Sequence, residues 1–283
     1  MTQQRPTSEL AEIFEADDLV GEPGGRYNLA PTDQAAVVVQ RDDRRALTAY
    51  RWGLVPHWSD GPRAGSRMFN ARAETIDRTP AFRYAFEKRR CLVPVDAFYE
   101  WRWADGSREP YAIVRRDGRP LALAGLWAGW KDEDTGQVLR SFTIVTTEAN
   151  DVVRPIHDRM PVVLPKSAWD RWLDPTATDA PALAELKGLL VPADDDWLTA
   201  YRVSRRVNDV RNDGPALVEP LDARDDTEHE AKASAAAARR EGGRRRGDSR
   251  HDVPGQLPLL GHDDHGDDAR GGGDDDDDRE AGA

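Results

Sequence analysis

The chain has 283 residues, 39% of them hydrophobic, with nine tryptophans and a formal net charge of −12 at pH 7. That is enough apolar material for one large domain or two small ones, but the longest apolar runs, such as LALAGLWAGW (121–130), fall far short of the roughly 20 residues a membrane helix needs. A single cysteine, Cys91, excludes an intrachain disulfide and a cysteine-held zinc, and the amino end lacks the apolar segment of a secretory signal, so a cytoplasmic location is expected.

Taken in order, SELAEIF (8–14) has helical spacing with Ser8 as the expected N-cap. AAVVVQ (35–40), LTAYRW (47–52), CLVPV (91–95), FYEWRW (98–103), YAIVRR (111–116), LALAGLW (121–127) and FTIVTT (142–147) are rich in β-branched and aromatic residues and predict strands. AFRYAFEKR (81–89) and SAWDRWL (167–173) predict short helices, and the pairs Asp105-Gly106 and Asp117-Gly118 predict tight hairpins. Strands and helices do not alternate regularly, which argues against a doubly wound parallel sheet. The expected fold class is α+β: one domain over residues 1–222, with a coiled, mostly antiparallel β-sheet core flanked by short helices.

From about Asp222 the composition shifts to Ala, Gly, Arg and Asp runs with too little apolar surface to offset ordering entropy, so 223–283 reads as a disordered tail. The tail holds 17 acidic and 10 basic side chains, so it contributes −7 of the −12 and leaves −5 on the rest. Most of the acidity that would disfavour a nucleic-acid partner is therefore outside the domain. Only five of the 40 basic residues are lysine; the arginine–aspartate balance fits a salt-adapted cytoplasm or a GC-rich genome. One apolar island, VPGQLPLLG (253–261), interrupts the tail. Gln256 to Leu260 look like a sliding-clamp-binding peptide without its aromatic pair, and chance is the competing reading.

Four positions could carry chemistry. Asn70 and Arg72 in NARAET (70–75) share a side if extended, where an amide and a guanidinium can hold a phosphate or a nucleotide sugar. Glu100 in FYEW (98–101) sits between aromatics, which would raise its pKa and suit it to proton transfer; a strand glutamate facing solvent is the alternative. His157, in RPIHDRMPVVL (154–164), is either structural or a proton shuttle beside a phosphate steered by Arg154 and Arg159. Trp58, after a Pro-His turn, either stacks on a base or fills core. Cys91, in an apolar strand, reads as a buried inert thiol.

YNLAPTDQ (27–34), RWGLVPHW (51–58), FNARAET (69–75), RRCLVPVDAFYEW (89–101), AGLWAGW (124–130), FTIVTTEAN (142–150), IHDRMPVVL (156–164) and VSRRVNDVRNDGP (203–215) occur in that order. Together they resemble the SRAP family, the abasic-site processing proteins also called SOS response-associated peptidases, over roughly residues 8–221. The resemblance implies a protein that binds abasic sites in single-stranded DNA. A cysteine exposed at the amino end forms an imine through its amine and a thiazolidine through its thiol, and a self-cleaving peptidase activity is linked to the same cysteine. It further implies that Glu100 and His157 handle protons, that Asn70 orients the amino-terminal residue and the sugar, and that Arg72 and Arg159 hold flanking phosphates. Trp58, Pro31 and Thr146 would lie along the DNA path, with Asn28 near the pocket wall. No cofactor and a monomer are expected. The chain departs from the family's opening Met-Cys-Gly-Arg: it begins MTQQRPTSEL, with Thr2 a poor nucleophile. The expectation is a start placed a few residues late. The alternatives are a degenerate module that binds single strands without linking to them, or a scaffold whose tail recruits a clamp.

Overall fold

The computed structural model describes residues 1–221 apart from Pro23 and Asp105; the segment from 222 onward, with the Gln256–Leu260 peptide, lies outside the described residues. Helix α1 (Thr7–Phe14) leads into β1 (Ala16–Asp18), β2 (Gln34–Arg41) and β3 (Arg44–Trp52). A 3-10 turn (Pro62–Arg67) precedes β4 (Asn70–Arg72), α2 (Pro80–Lys88), β5 (Arg90–Val95), β6 (Ala97–Ala104) and β7 (Ser107–Arg115). Then follow β8 (Leu121–Lys131), β9 (Val138–Glu148), β10 (Arg159–Pro161), α3 (Trp169–Leu173), α4 (Ala180–Gly188) and β11 (Leu198–Arg202).

The α+β expectation holds. Strands β3, β2, β5, β8 and β9 pair antiparallel in that order, and β9 returns to β3 in parallel through Arg51–Ser141 and Trp52–Phe142, closing a barrel-like sheet. β4 and β10 both pair with β9, and a separate three-stranded sheet runs β11-β7-β6. The closed strands alternate with period two. Val37, Val39, Val93, Leu123, Phe142 and Ile144 pack into one core with Phe98 and Ile113 of the smaller sheet. Val38, Leu92, Ala124 and Val145 face the other way, beneath Phe14, Phe86 and Trp172 of the helices. Burial on both faces is why these strands read as continuous apolar runs. Arg90 ties the helices together: its buried guanidinium donates to the carbonyls of Phe86, Trp172 and Asp174, ends of α2 and α3 that would otherwise be unsatisfied.

Two local expectations are corrected. α1 begins at Thr7, with Pro6 at the N-cap and no side-chain cap, so Ser8 lies inside the helix. The Pro6 ring fixes φ for entry, and Thr7 is engaged elsewhere, donating to Asp18 at 2.8 Å and accepting from the Glu22 N–H at 2.9 Å. β6 and β7 pair antiparallel up to Ala104 and Ser107, as a hairpin, whereas Asp117-Gly118 is a turn but no hairpin, because β7 and β8 belong to different sheets. Gly118, at φ +71°, supplies the left-handed residue for either kind of reversal, so the dipeptide marks the turn and not the pairing after it.

Candidate active site and nucleic-acid face

Glu100 is placed by the alternation of β6. Tyr99 packs into a small cluster with Ala112, Val203 and Trp101 on one face, and Phe98 enters the main core on the other, carrying Glu100 with it. Glu100 is half-buried. Burial pushes its carboxyl up to about 7; the positive charges of His157 and the Met1 amine oppose that shift, and Asp158 adds to it.

The first residues are threaded into the same region. Thr2 bridges to Ala97, its N–H donating to the Ala97 carbonyl at 2.8 Å. Gln3 is buried, its amide donating to the carbonyls of Ala36 (2.8 Å) and Pro94 (2.7 Å) and accepting from the Ala36 N–H (2.9 Å). These bonds seat the Met1 amine against the Leu29 carbonyl at 3.1 Å. Burial pushes that amine down to about 5, with Glu100 and then Asp33 pulling it back. An amine largely unprotonated at neutral pH thus shares its surroundings with a carboxyl that titrates near neutral pH.

His157 ends a turn pinned by Asn150, whose side-chain oxygen accepts from the Val153 N–H at 3.1 Å and whose amide donates to the Ala193 carbonyl at 3.0 Å. The ring is 44% exposed, and Nδ1 accepts from the Arg159 N–H at 3.0 Å. Nδ1 also lies 3.2 Å from the Arg159 carbonyl and 3.3 Å from an Asp158 carboxylate oxygen, so Nε2 is the nitrogen left for a ligand.

A second group of charges lies on the β4–β9–β10 ladder, where Thr146 faces Arg72 on one side and Pro161 on the other. Arg159 grips Glu74 with both terminal nitrogens, at 2.6 and 3.0 Å, and donates to the Thr146 carbonyl at 2.8 Å. That hydrogen-bonded pairing holds the Glu74 carboxyl below its ordinary range. Arg72 and Asn70 are exposed, and Arg72 makes no ion pair among the described residues.

The expected site residues therefore separate into groups. Glu100 and His157 are coupled electrostatically, and Arg72, Thr146 and Arg159 share one ladder. No hydrogen bond among the described residues joins Asn70 to Glu100 or His157. Trp58 is 57% exposed beside an open cleft lined by Gly61, Pro62, Arg63 and Met68. Asn28 uses its amide nitrogen on the carbonyls of Val207, Asp209 and Asn212, clasping the 205–214 segment. Pro31 lies in the turn closed by Asp33, whose carboxylate accepts from the Ala30 N–H at 3.0 Å. Beside it Thr32 sits at φ +87°, a strained conformation for a β-branched residue. Asp33, Gln3, Asn150 and Glu74 escaped the sequence reading. Asp33 had a local signal, an aspartate in a Pro-containing turn whose carboxylate reaches back to the N–H three residues earlier; the other three are defined by partners distant in the chain.

The profile of the family described as SOS response associated peptidase (SRAP) matches residues 1–210. The abasic site processing protein YoqW of Bacillus subtilis is 37% identical over 214 residues, covering 75% of this chain and 94% of its own. YedK of Escherichia coli, also called an abasic site processing protein, is 32% identical over 75% of this chain and 92% of its own. Among solved structures, a Bacteroides thetaiotaomicron protein superposes with a TM-score of 0.70 at 27% identity, covering 78% of this chain and 98% of its own.

Proposed function

Because this chain belongs to the SRAP family, we propose that it processes abasic sites, binding the lesion on single-stranded DNA with the ring-opened deoxyribose directed at Glu100 and His157. The observation that carries this reading is the carboxyl of Glu100, raised to about 7 beside a buried amine and an exposed imidazole. Imine formation needs an unprotonated amine to attack the aldehyde carbon, a proton delivered to the departing hydroxyl, and a base that recovers a proton from nitrogen. A group titrating near 7 gives and takes a proton at comparable cost. Arg72 supplies an unpaired cation for a flanking phosphate, and Trp58 an indole face for a base.

Thiazolidine closure requires a thiol next to that amine. Cys91 does not supply it: the residue is buried, and burial pushes its thiol far up. We infer that the 283-residue chain binds the lesion and gives at most a reducible imine through its Met1 amine, and that an engineered variant extended by Met-Cys-Gly-Arg, whose new amino terminus replaces that of Met1, supplies the missing thiol. Self-release of residues ahead of that cysteine, the peptidase reaction, would draw on the same groups. The noncovalent alternative is favoured by one feature, the burial of the sole thiol.

A denaturing gel of abasic single-stranded DNA with both forms tests the reading. A heat-stable adduct is expected from the extended form alone. No adduct from the extended form, or a heat-stable one from the 283-residue form, contradicts it.

A further inference from the structure

We propose that the surface formed by His57, Tyr84 and Arg89 is a second stacking platform, which takes the single strand beyond the nucleotides at Trp58. The inference rests on the single-strand binding reading and extends it to a face that reading does not use.

The platform continues from Trp58 through a chain of rings. His57 precedes Trp58 and meets Tyr84 of α2 edge-on, with ring centres 6.2 Å apart and planes at 61°. The Arg89 guanidinium lies 5.3 Å from the Tyr84 ring centre and 5.0 Å from that of Trp127. His57 is exposed and Tyr84 is 48% exposed, so both keep ring surface toward solvent. These rings, on a core helix and an adjoining loop, are held against each other and against Arg89.

The fixing comes from β8. The Trp130 indole N–H donates to the Ser59 carbonyl at 2.7 Å, holding the loop after Trp58. The Trp127 N–H donates to the Arg89 carbonyl at 2.8 Å, holding the end of α2. One strand therefore positions both halves of the platform, and a preorganised face loses little freedom when a flexible strand lies on it.

Charge selects the occupant. Around these rings the sequence sets Arg63, Arg67, Arg83, Lys88 and Arg89 against Asp60 and Glu87, and none of the five cations makes an ion pair among the described residues. Elsewhere the arginines of this acidic protein are commonly paired, as Arg5, Arg45, Arg115, Arg171 and Arg211 are. Unpaired cations interleaved with exposed rings match alternating phosphates and bases, and stacking tolerates any base because each has a π face.

Affinity for single strands of about 5 and about 20 nucleotides, measured by fluorescence anisotropy at one salt concentration, tests the platform. Tyr84→Ser is the probe, since its exposure leaves the core intact; an unchanged melting temperature verifies the fold. The expected result is about a tenfold loss on the longer strand and less than about twofold on the shorter, while Trp58→Ala weakens both. Tyr84→Ser equal to wild type on the longer strand overturns the platform, leaves the binding reading standing and points to a protein partner for this face. Equal losses on both strands also overturn it, because Tyr84 would then belong to the lesion site. Wild-type protein that binds neither strand refutes the underlying reading, and the platform with it.

Discussion

Two charged clusters in this protein use the same kinds of groups and end in opposite electrostatic states. On the β4–β9–β10 ladder, Glu74 meets a guanidinium that grips both its oxygens, and its carboxyl falls below the ordinary range. On β6, Glu100 accepts no hydrogen bond among the described residues, its basic neighbours are an imidazole and a buried amine, and its carboxyl rises to about 7. The difference is geometric. A forked donor at hydrogen-bonding distance stabilises the anion more than partial burial destabilises it, whereas an imidazole and a largely unprotonated amine, neither hydrogen-bonded to Glu100, do not outweigh burial. Glu74 is thereby fixed as an anion that organises structure, and Glu100 is left poised for proton exchange.

The largest expected effect comes from breaking the poised cluster. In a chain extended by Met-Cys-Gly-Arg, Glu100→Gln or His157→Ala should slow adduct formation or its reversal by roughly 10² to 10⁴, the loss typical of an acid–base group. Quenched time courses on denaturing gels measure it, and a rate within a factor of about two of the parent would remove these residues from the chemistry.

Stability against pH sharpens the contrast. The raised pKa of Glu100 means that its contribution is intact below about 4.5 and is lost as pH rises through about 7. The Met1 amine runs the other way, contributing above its ordinary 8.0 and losing that as pH falls through about 5. Glu100→Gln should accordingly gain roughly 1–3 kcal/mol over the parent at pH 8 and nothing at pH 4. Urea unfolding at the two pH values decides, and an equal shift at both would assign the effect to packing.

The satisfied cluster should respond in stability. Arg159→Met removes a two-pronged pair and a hydrogen bond to the Thr146 carbonyl, and should cost about 1–2 kcal/mol in the same assay. The smallest effect is expected from Glu74→Gln, which releases Arg159. If that guanidinium also serves phosphate, single-strand affinity rises about twofold to fivefold at low salt and the gain shrinks as salt is added. An unchanged or weaker affinity would confine Arg159 to the fold.

These clusters were not equally legible in the sequence. The strands of the closed sheet were readable because β-branched and aromatic residues cluster there; Tyr99 and Trp101 beside Glu100 in the sequence suggested a raised pKa, but they face the other side of β6, and Glu100 is buried on the Phe98 side. Closure of the sheet was not readable: it depends on two parallel residue pairs between β3 and β9, and β4 and β10 are three residues each, too short for a periodic signal. Side-chain roles set by distant partners were hidden in the same way. Asn28 clasps carbonyls about 180 residues away, and Glu74 is 85 residues from Arg159. The second Asp-Gly pair shows the limit of local signals, since turn chemistry was legible at Gly118 and the destination of the following strand was not.

The central claim, that Glu100 carries a proton near neutral pH while Glu74 does not, is tested most directly by an NMR titration of the glutamate side-chain carboxyl carbons, assigned with Glu100→Gln and Glu74→Gln. The account predicts an inflection near pH 7 for Glu100 and one below 4.5 for Glu74. A Glu100 resonance that titrates at or below 4.5 would contradict it and leave the site without its proton-transfer group.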